Sequence, residues 1–213
     1  MAEHVDSSRL NKDLRYRFEY LSKFLNFTSA DITALNTFAT IILPLIPVIV
    51  DSVYRKLFSF DITKQHFLIS SESTLPKRTT SVTLESAQMS FRKDMLSKYL
   101  KRVLTQREWN DTFLQYLSQV GRMHTNQTGS TSINVDYIHI NALLGYVEQL
   151  LIDVLCKNDS IMEGSKCGIL TAINKLFWIQ NDFFTMHYFK SLTKSSSLIE
   201  TPTLGKKSKC CWI

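Results

Sequence analysis

Arg107–His124, REWNDTFLQYLSQVGRMH, sets Trp109, Phe113, Tyr116, Leu117 and Val120 three or four positions apart. That spacing puts them on one face of a helix. The same count carried forward reaches His124, so an imidazole closes an apolar stripe and points into a core or a pocket. Gly121 has no side chain and leaves room beside the stripe for something flat to come close. The pattern stops at Thr125–Ser132, TNQTGSTS, a polar turn stretch.

A histidine in that position is either a hydrogen-bonded core residue or a neutral imidazole ligand to haem iron. Periodicity does not choose between them, so the rest of the chain must. Only 6 Gly and 4 Pro occur in 213 residues, which favours long helices over a turn-rich β-fold. Hydrophobic residues make up 44% and charged residues 21%, as in ordinary globular proteins. The net charge of +6 is not gathered into a segment with exposed aromatics or glycine, so no nucleic-acid partner is expected. The first thirty residues are charged throughout, so no secretory leader is expected. The sequons at Asn26, Asn110, Asn126 and Asn158 are then chance matches. Cys156 and Cys167, with Cys210 and Cys211 far away, form no disulfide framework and suit a reducing cytosol.

Helical spacing recurs along the chain. Residues 1–8 are polar and read as frayed. Arg9–Phe27 predicts a helix carrying Leu10, Leu14, Phe18, Leu21 and Leu25. Thr28 or Ser29 is a candidate N-cap with Asp31 in the following turn. Thr37–Val50, TFATIILPLIPVIV, is the most apolar run, too short for a bilayer and interrupted by Pro44 and Pro47. It predicts a helix ending near Leu43, a corner, and a second helix from about Leu45 to Ser59. Val48 or Ile49, Val53, Leu57 and Phe60 face inward there, with Tyr54 beside them. Asp61–Phe67 predicts a short helix and Ser70–Thr83 a loop. Helices follow over Leu84–Leu104 (Met89, Leu96, Leu100 and Leu104 on one face), Val135–Lys157 (Ile138, Ala142, Leu143 and Tyr146 inward) and Cys167–Phe189 (Leu170, Ile173, Phe177 and Phe183 inward). Arg92, Lys93, Lys98 and Lys101 lie on other faces and read as solvated. The expectation is an all-α domain of about eight helices without repeats.

Five segments in order resemble globin-coupled sensors and protoglobins. VGRMH at 120–124 resembles the G-R-x-H segment of their proximal histidine, and INVDY at 133–137 the I-P-x-x-Y that opens the next helix. LTAINKLFWIQNDFFTMHYF at 170–189, with Lys175 and Tyr188, is similar to their last helix. VYRKL at 53–57 resembles the segment whose tyrosine lies over the distal haem face, and TSADITALNTF at 28–38 their first true globin helix. The resemblance covers residues 11–190, with 1–10 as a flexible N-terminus and 191–213 as a basic tail. It implies a globin-like fold with an extra N-terminal helix and no D helix, holding haem b. His124 is then the proximal ligand and Tyr54 the distal hydrogen-bond donor. Phe67 and Leu96 wall the pocket, and Gly121 and Tyr137 complete the cofactor-side set. His66 is a weaker candidate for a second axial ligand; His139 and His187 have no counterpart. Two departures stand out: Asn134 replaces the family's helix-opening proline, and Val53 replaces a tryptophan found in some protoglobins.

The resemblance implies a sensor or carrier of O2 or another diatomic gas. The alternatives are a haem redox enzyme such as a nitric oxide dioxygenase, and a haem-free regulatory module. The chain leaves no room for a fused signalling domain, so output is expected through a partner, a membrane or a homodimer of the last two helices. The ending Cys210-Cys211-Trp212-Ile213 fits a C-a-a-X prenylation motif on Cys210, with Cys211 open to palmitate or a second prenyl group. Lys206, Lys207 and Lys209 would add attraction to anionic lipid, so a place on the cytoplasmic face of a membrane is expected. A prenylated small GTPase is excluded, because no Gly-x4-Gly-Lys-Ser/Thr phosphate loop is present.

Overall fold

Helix caps divide the chain. In the computed structural model, residues 2–68, 83–125 and 134–196 are described. Among them are nine α-helices and one 3-10 turn, and no strand. The helices are α1 (Ser7–Leu10), α2 (Leu14–Leu25), α3 (Ser29–Ile42), α4 (Ile46–Phe58), α5 (Asp61–Leu68), α6 (Ala87–Thr105), α7 (Asp111–Met123), α8 (Tyr137–Lys157) and α9 (Glu163–Ser196). The expected loop over 70–83 and the place of a D helix lie outside the described residues up to position 82, as does the 126–133 turn.

The helix expected over Arg9–Phe27 is two. Asp6 caps α1, and the Asp13 side chain accepts from the Tyr16 N–H at 3.0 Å, starting α2 afresh. Asn26 ends α2 at φ 51°, the left-handed conformation that closes a helix. Thr28 and Asp31 form the capping box that opens α3, Asp31 accepting from the Thr28 N–H at 2.7 Å. The apolar run turns at a 3-10 segment over Leu43–Leu45, and Pro47 sits in the first turn of α4, where its missing N–H is harmless. By length and hydropathy alone, Ser29–Phe58 and Tyr137–Lys157 are apolar enough to cross a membrane. Here the first is broken by that 3-10 turn, and both pack against α9 through α3 and α8.

The core is one cluster, with Phe38, Ile46, Met89, Leu104, Phe113 and Phe183 fully buried. Several inward assignments change. Val48, Phe60, Ile138 and Leu170 are exposed, and so is Ala142. Ile46, Ile49 and Val50 carry the buried face of α4, and Ile140, Val147, Leu151 and Leu155 that of α8. The physical reason is that α4, α8 and α9 are apolar on more than one face, so periodicity leaves the inward phase open. Tyr54 lies on the buried face itself, not beside it. α7 starts at Asp111 behind an Asn110 cap, later than Arg107, while Trp109 packs ahead of it against Phe18, Phe27 and Phe113. α9 continues to Ser196, past the expected boundary at 190, because no glycine or proline occurs between Ile169 and Ser196.

Two partly buried ion pairs tie α9 to the first helices. Arg17 grips Asp182 with two parallel bonds, one of 2.6 Å, and Lys175 Nζ donates to Asp31 at 2.9 Å and to the Asn26 carbonyl at 2.7 Å. Asp31 thus serves a cap and a pair at once. Asp31→Ala should lower the unfolding free energy by about 3 kcal/mol, read as an earlier urea midpoint at unchanged m-value.

Candidate functional site

His124 stands at the C-cap of α7, where the helix stops and the backbone turns away. Its Nδ1 lies 2.8 Å from the Val120 carbonyl oxygen. A carbonyl only accepts, so Nδ1 carries the proton. Burial holds the ring below the usual histidine pKa, against the Val120 bond that raises it and with a smaller push in the same direction from Arg92. The ring is therefore neutral at pH 7, and its Nε2 presents a bare lone pair. It lies deep in the fold yet keeps some open surface. Phe184 of α9 packs edge-on against it, ring centres 5.2 Å apart.

The backbone at His124 is pinned as firmly. Its carbonyl accepts from the Val135 N–H at 3.1 Å and from the Tyr188 hydroxyl at 3.1 Å, and that hydroxyl also lies against the Val135 carbonyl. Tyr188 thereby clamps the end of α7 to the approach to α8. Asn134, in that approach, has φ 45°. A proline ring cannot adopt that angle, so the departure from the family's proline changes how the chain enters α8.

Tyr54 and Phe67 come together as expected, ring centres 5.9 Å apart, and Phe58 stacks on Phe67 at 5.4 Å. Burial raises the Tyr54 phenol to about 12, slightly offset by the charge of Arg92, so it is a pure O–H at neutral pH. No hydrogen bond to that hydroxyl occurs among the described residues. Leu96 is half-buried against the core on α6.

Arg92 was expected on a solvated face and is not there. Its guanidinium lies 5.2 Å from the centre of the Phe67 ring, and its charge acts on both Tyr54 and His124. Arg92 thus stacks on Phe67 and acts electrostatically on both Tyr54 and His124. The available signal was spacing: Arg92 is one turn before Leu96, on the same side of α6.

Gly121 and Tyr137 have other uses. A Cβ on Gly121 would stand 2.9 Å from the Phe183 carbonyl oxygen and 3.3 Å from His187 Cδ2, so the space it leaves is filled by α9. The Tyr137 hydroxyl donates to Asn181 Oδ1 at 2.7 Å and accepts from Thr185 at 3.0 Å, joining α8 to α9. Both support the site from behind. His187 packs by Ser118, with Nε2 2.9 Å from its hydroxyl, and His66 stands beside His139. Cys210 and Cys211 lie outside the described residues.

These residues fit haem. A buried neutral imidazole with its Nδ1 proton committed to a backbone carbonyl is the donor that ferrous or ferric iron accepts, and the Phe184 ring packs against it. Comparison with known proteins agrees in fold. The protoglobin family matches over residues 14–194. The globin domain of the Geobacter sulfurreducens globin-coupled sensor superposes with a TM-score of 0.61 at 13% identity, covering 80% of this chain and 96% of that one. A search of curated proteins returned no match. Gly121→Ala should drive α7 from α9 and cost about 1–3 kcal/mol, measured as a lower melting temperature, whereas Gly145→Ala, with nothing within 4 Å, should not.

Proposed function

The chain belongs to the protoglobin family, and from that premise we propose that it binds haem b through His124 and serves as a sensor or carrier of a diatomic gas such as O2. The observation that carries the reading is the His124 ring, neutral and anchored at Nδ1 with Nε2 left bare. Haem iron supplies reversible gas binding; this chain's residues do the rest. Val120 fixes the imidazole's tautomer and direction. Tyr54, a neutral phenol in an apolar setting, offers a hydrogen bond to a ligand entering the same space. Phe67 and Leu96 keep that space dry, and Arg92 biases it towards ligands that gain negative charge.

The outer faces of α8 and α9 show exposed Ile138, Trp178, Phe189 and Leu192, which supports pairing of two copies there. Cys210, in the CCWI ending and close behind three lysines, would be the lipid attachment point that holds the protein at the cytoplasmic face of a membrane.

The purified protein reconstituted with hemin should show a Soret band that shifts on reduction and again with CO. His124→Ala should lose or move that band, while Tyr54→Phe should keep it and release O2 about tenfold faster, as expected for one lost hydrogen bond. A colourless protein, or a band unchanged in His124→Ala, would refute the assignment. Expressed in a eukaryotic host, the chain should carry a prenyl mass that Cys210→Ser removes; an unmodified mass in the parent would refute lipidation.

A further inference from the structure

His66 and His139 come from helices far apart in sequence, α5 and α8, and their rings face one another with centres 5.8 Å apart, planes inclined at 59°. Both Nε2 atoms are buried, and neither has a hydrogen-bond partner. One orphaned imidazole nitrogen is costly; two side by side are unusual, because each could be satisfied by a single shared group. Neither ring is used by the haem site proposed above, where His66 as a second axial ligand has no part.

The geometry points to a divalent transition-metal site, zinc in the first place, held between α5 and α8 by His66 Nε2 and His139 Nε2. A zinc–nitrogen bond of about 2.0–2.1 Å sets each ring centre roughly 3 Å from the metal, so two rings on one ion stand about 5–6 Å apart. The observed separation falls there. The chemistry also suits neutral rings: burial, then the neighbouring His139, hold His66 below the usual histidine pKa, in the form that ligates. Asp136 begins α8 one turn before His139, and its side chain makes no cap hydrogen bond. Its charge reaches His66. The two rings are the protein's ligands, and water fills the remaining positions. Binding would strap α5 to the first turn of α8.

The test is a zinc titration of the full chain with histidines labelled in the ring nitrogens, run haem-free and again haem-loaded with the Soret band followed in parallel. At one equivalent of Zn2+, the Nε2 signals of His66 and His139 should move together to metal-bound positions, and the melting temperature should rise. The haem spectrum should not change, which separates this site from His124. His66→Gln and His139→Gln, with helix content checked by circular dichroism, should each weaken zinc binding at least tenfold, on the order of the losses seen when a ligand shell is broken. If both signals stay at free-imidazole positions through several equivalents, or if only one of the two responds, the site does not exist. Zinc taken up with these two rings unmoved would place it at other side chains and overturn the inference equally.

Discussion

The contact of α7 with α9 at Gly121 is the constraint from which the site follows. The backbone of Phe183 occupies the place where a side chain would be, so the two helices meet more closely than any larger residue permits. That approach brings Phe184 onto the His124 ring and Tyr188 onto the His124 carbonyl. It also leaves the stop of α7 one residue after Met123, where the imidazole can turn back to Val120 instead of continuing a helix. The room beside the glycine is taken by a helix, and that helix holds the His124 ring in place.

Charge inside the pocket is arranged with equal economy. Arg92 is the cation that both Tyr54 and His124 feel, and burial lowers its own pKa below the usual arginine value. A positive group there favours the neutral imidazole at His124 and so reinforces what burial already does. It works against burial at Tyr54, where the desolvation of the phenolate is the larger effect and keeps the proton in place. Further out, the ion pairs of Arg17 with Asp182 and Lys175 with Asp31 fix the same long helix to α2 and α3.

Much of this was legible before any coordinates. The apolar stripe that ends in His124, the capping residues Thr28 and Asp31, and the corner at Pro44 are local signals, and local physics reads them correctly. The family motifs supplied the order of helices. The hidden parts are those set by tertiary packing. A helix apolar on several sides, such as α8, does not announce whether Ile138 or Ile140 is inside. Arg92 carries a charge, and charge alone argues for solvent until a ring and a phenol are seen around it. Sequence spacing does not say which neighbour fills a gap: beside Gly121 it is Phe183, and Tyr137 bonds to Asn181 and Thr185. His66 and His139, seventy-odd positions apart in the chain, could be paired only in three dimensions.

α9 has a mechanical corollary. Its 34 residues form one uninterrupted rod of about 50 Å at 1.5 Å per residue. It touches the His124 ring about two-thirds of the way along, through Phe184, and no other secondary-structure element interrupts it. A sideways nudge from the imidazole therefore tilts the whole shaft like a tiller, with its largest sweep at the far tip, the end from which the remaining carboxy-terminal residues depart.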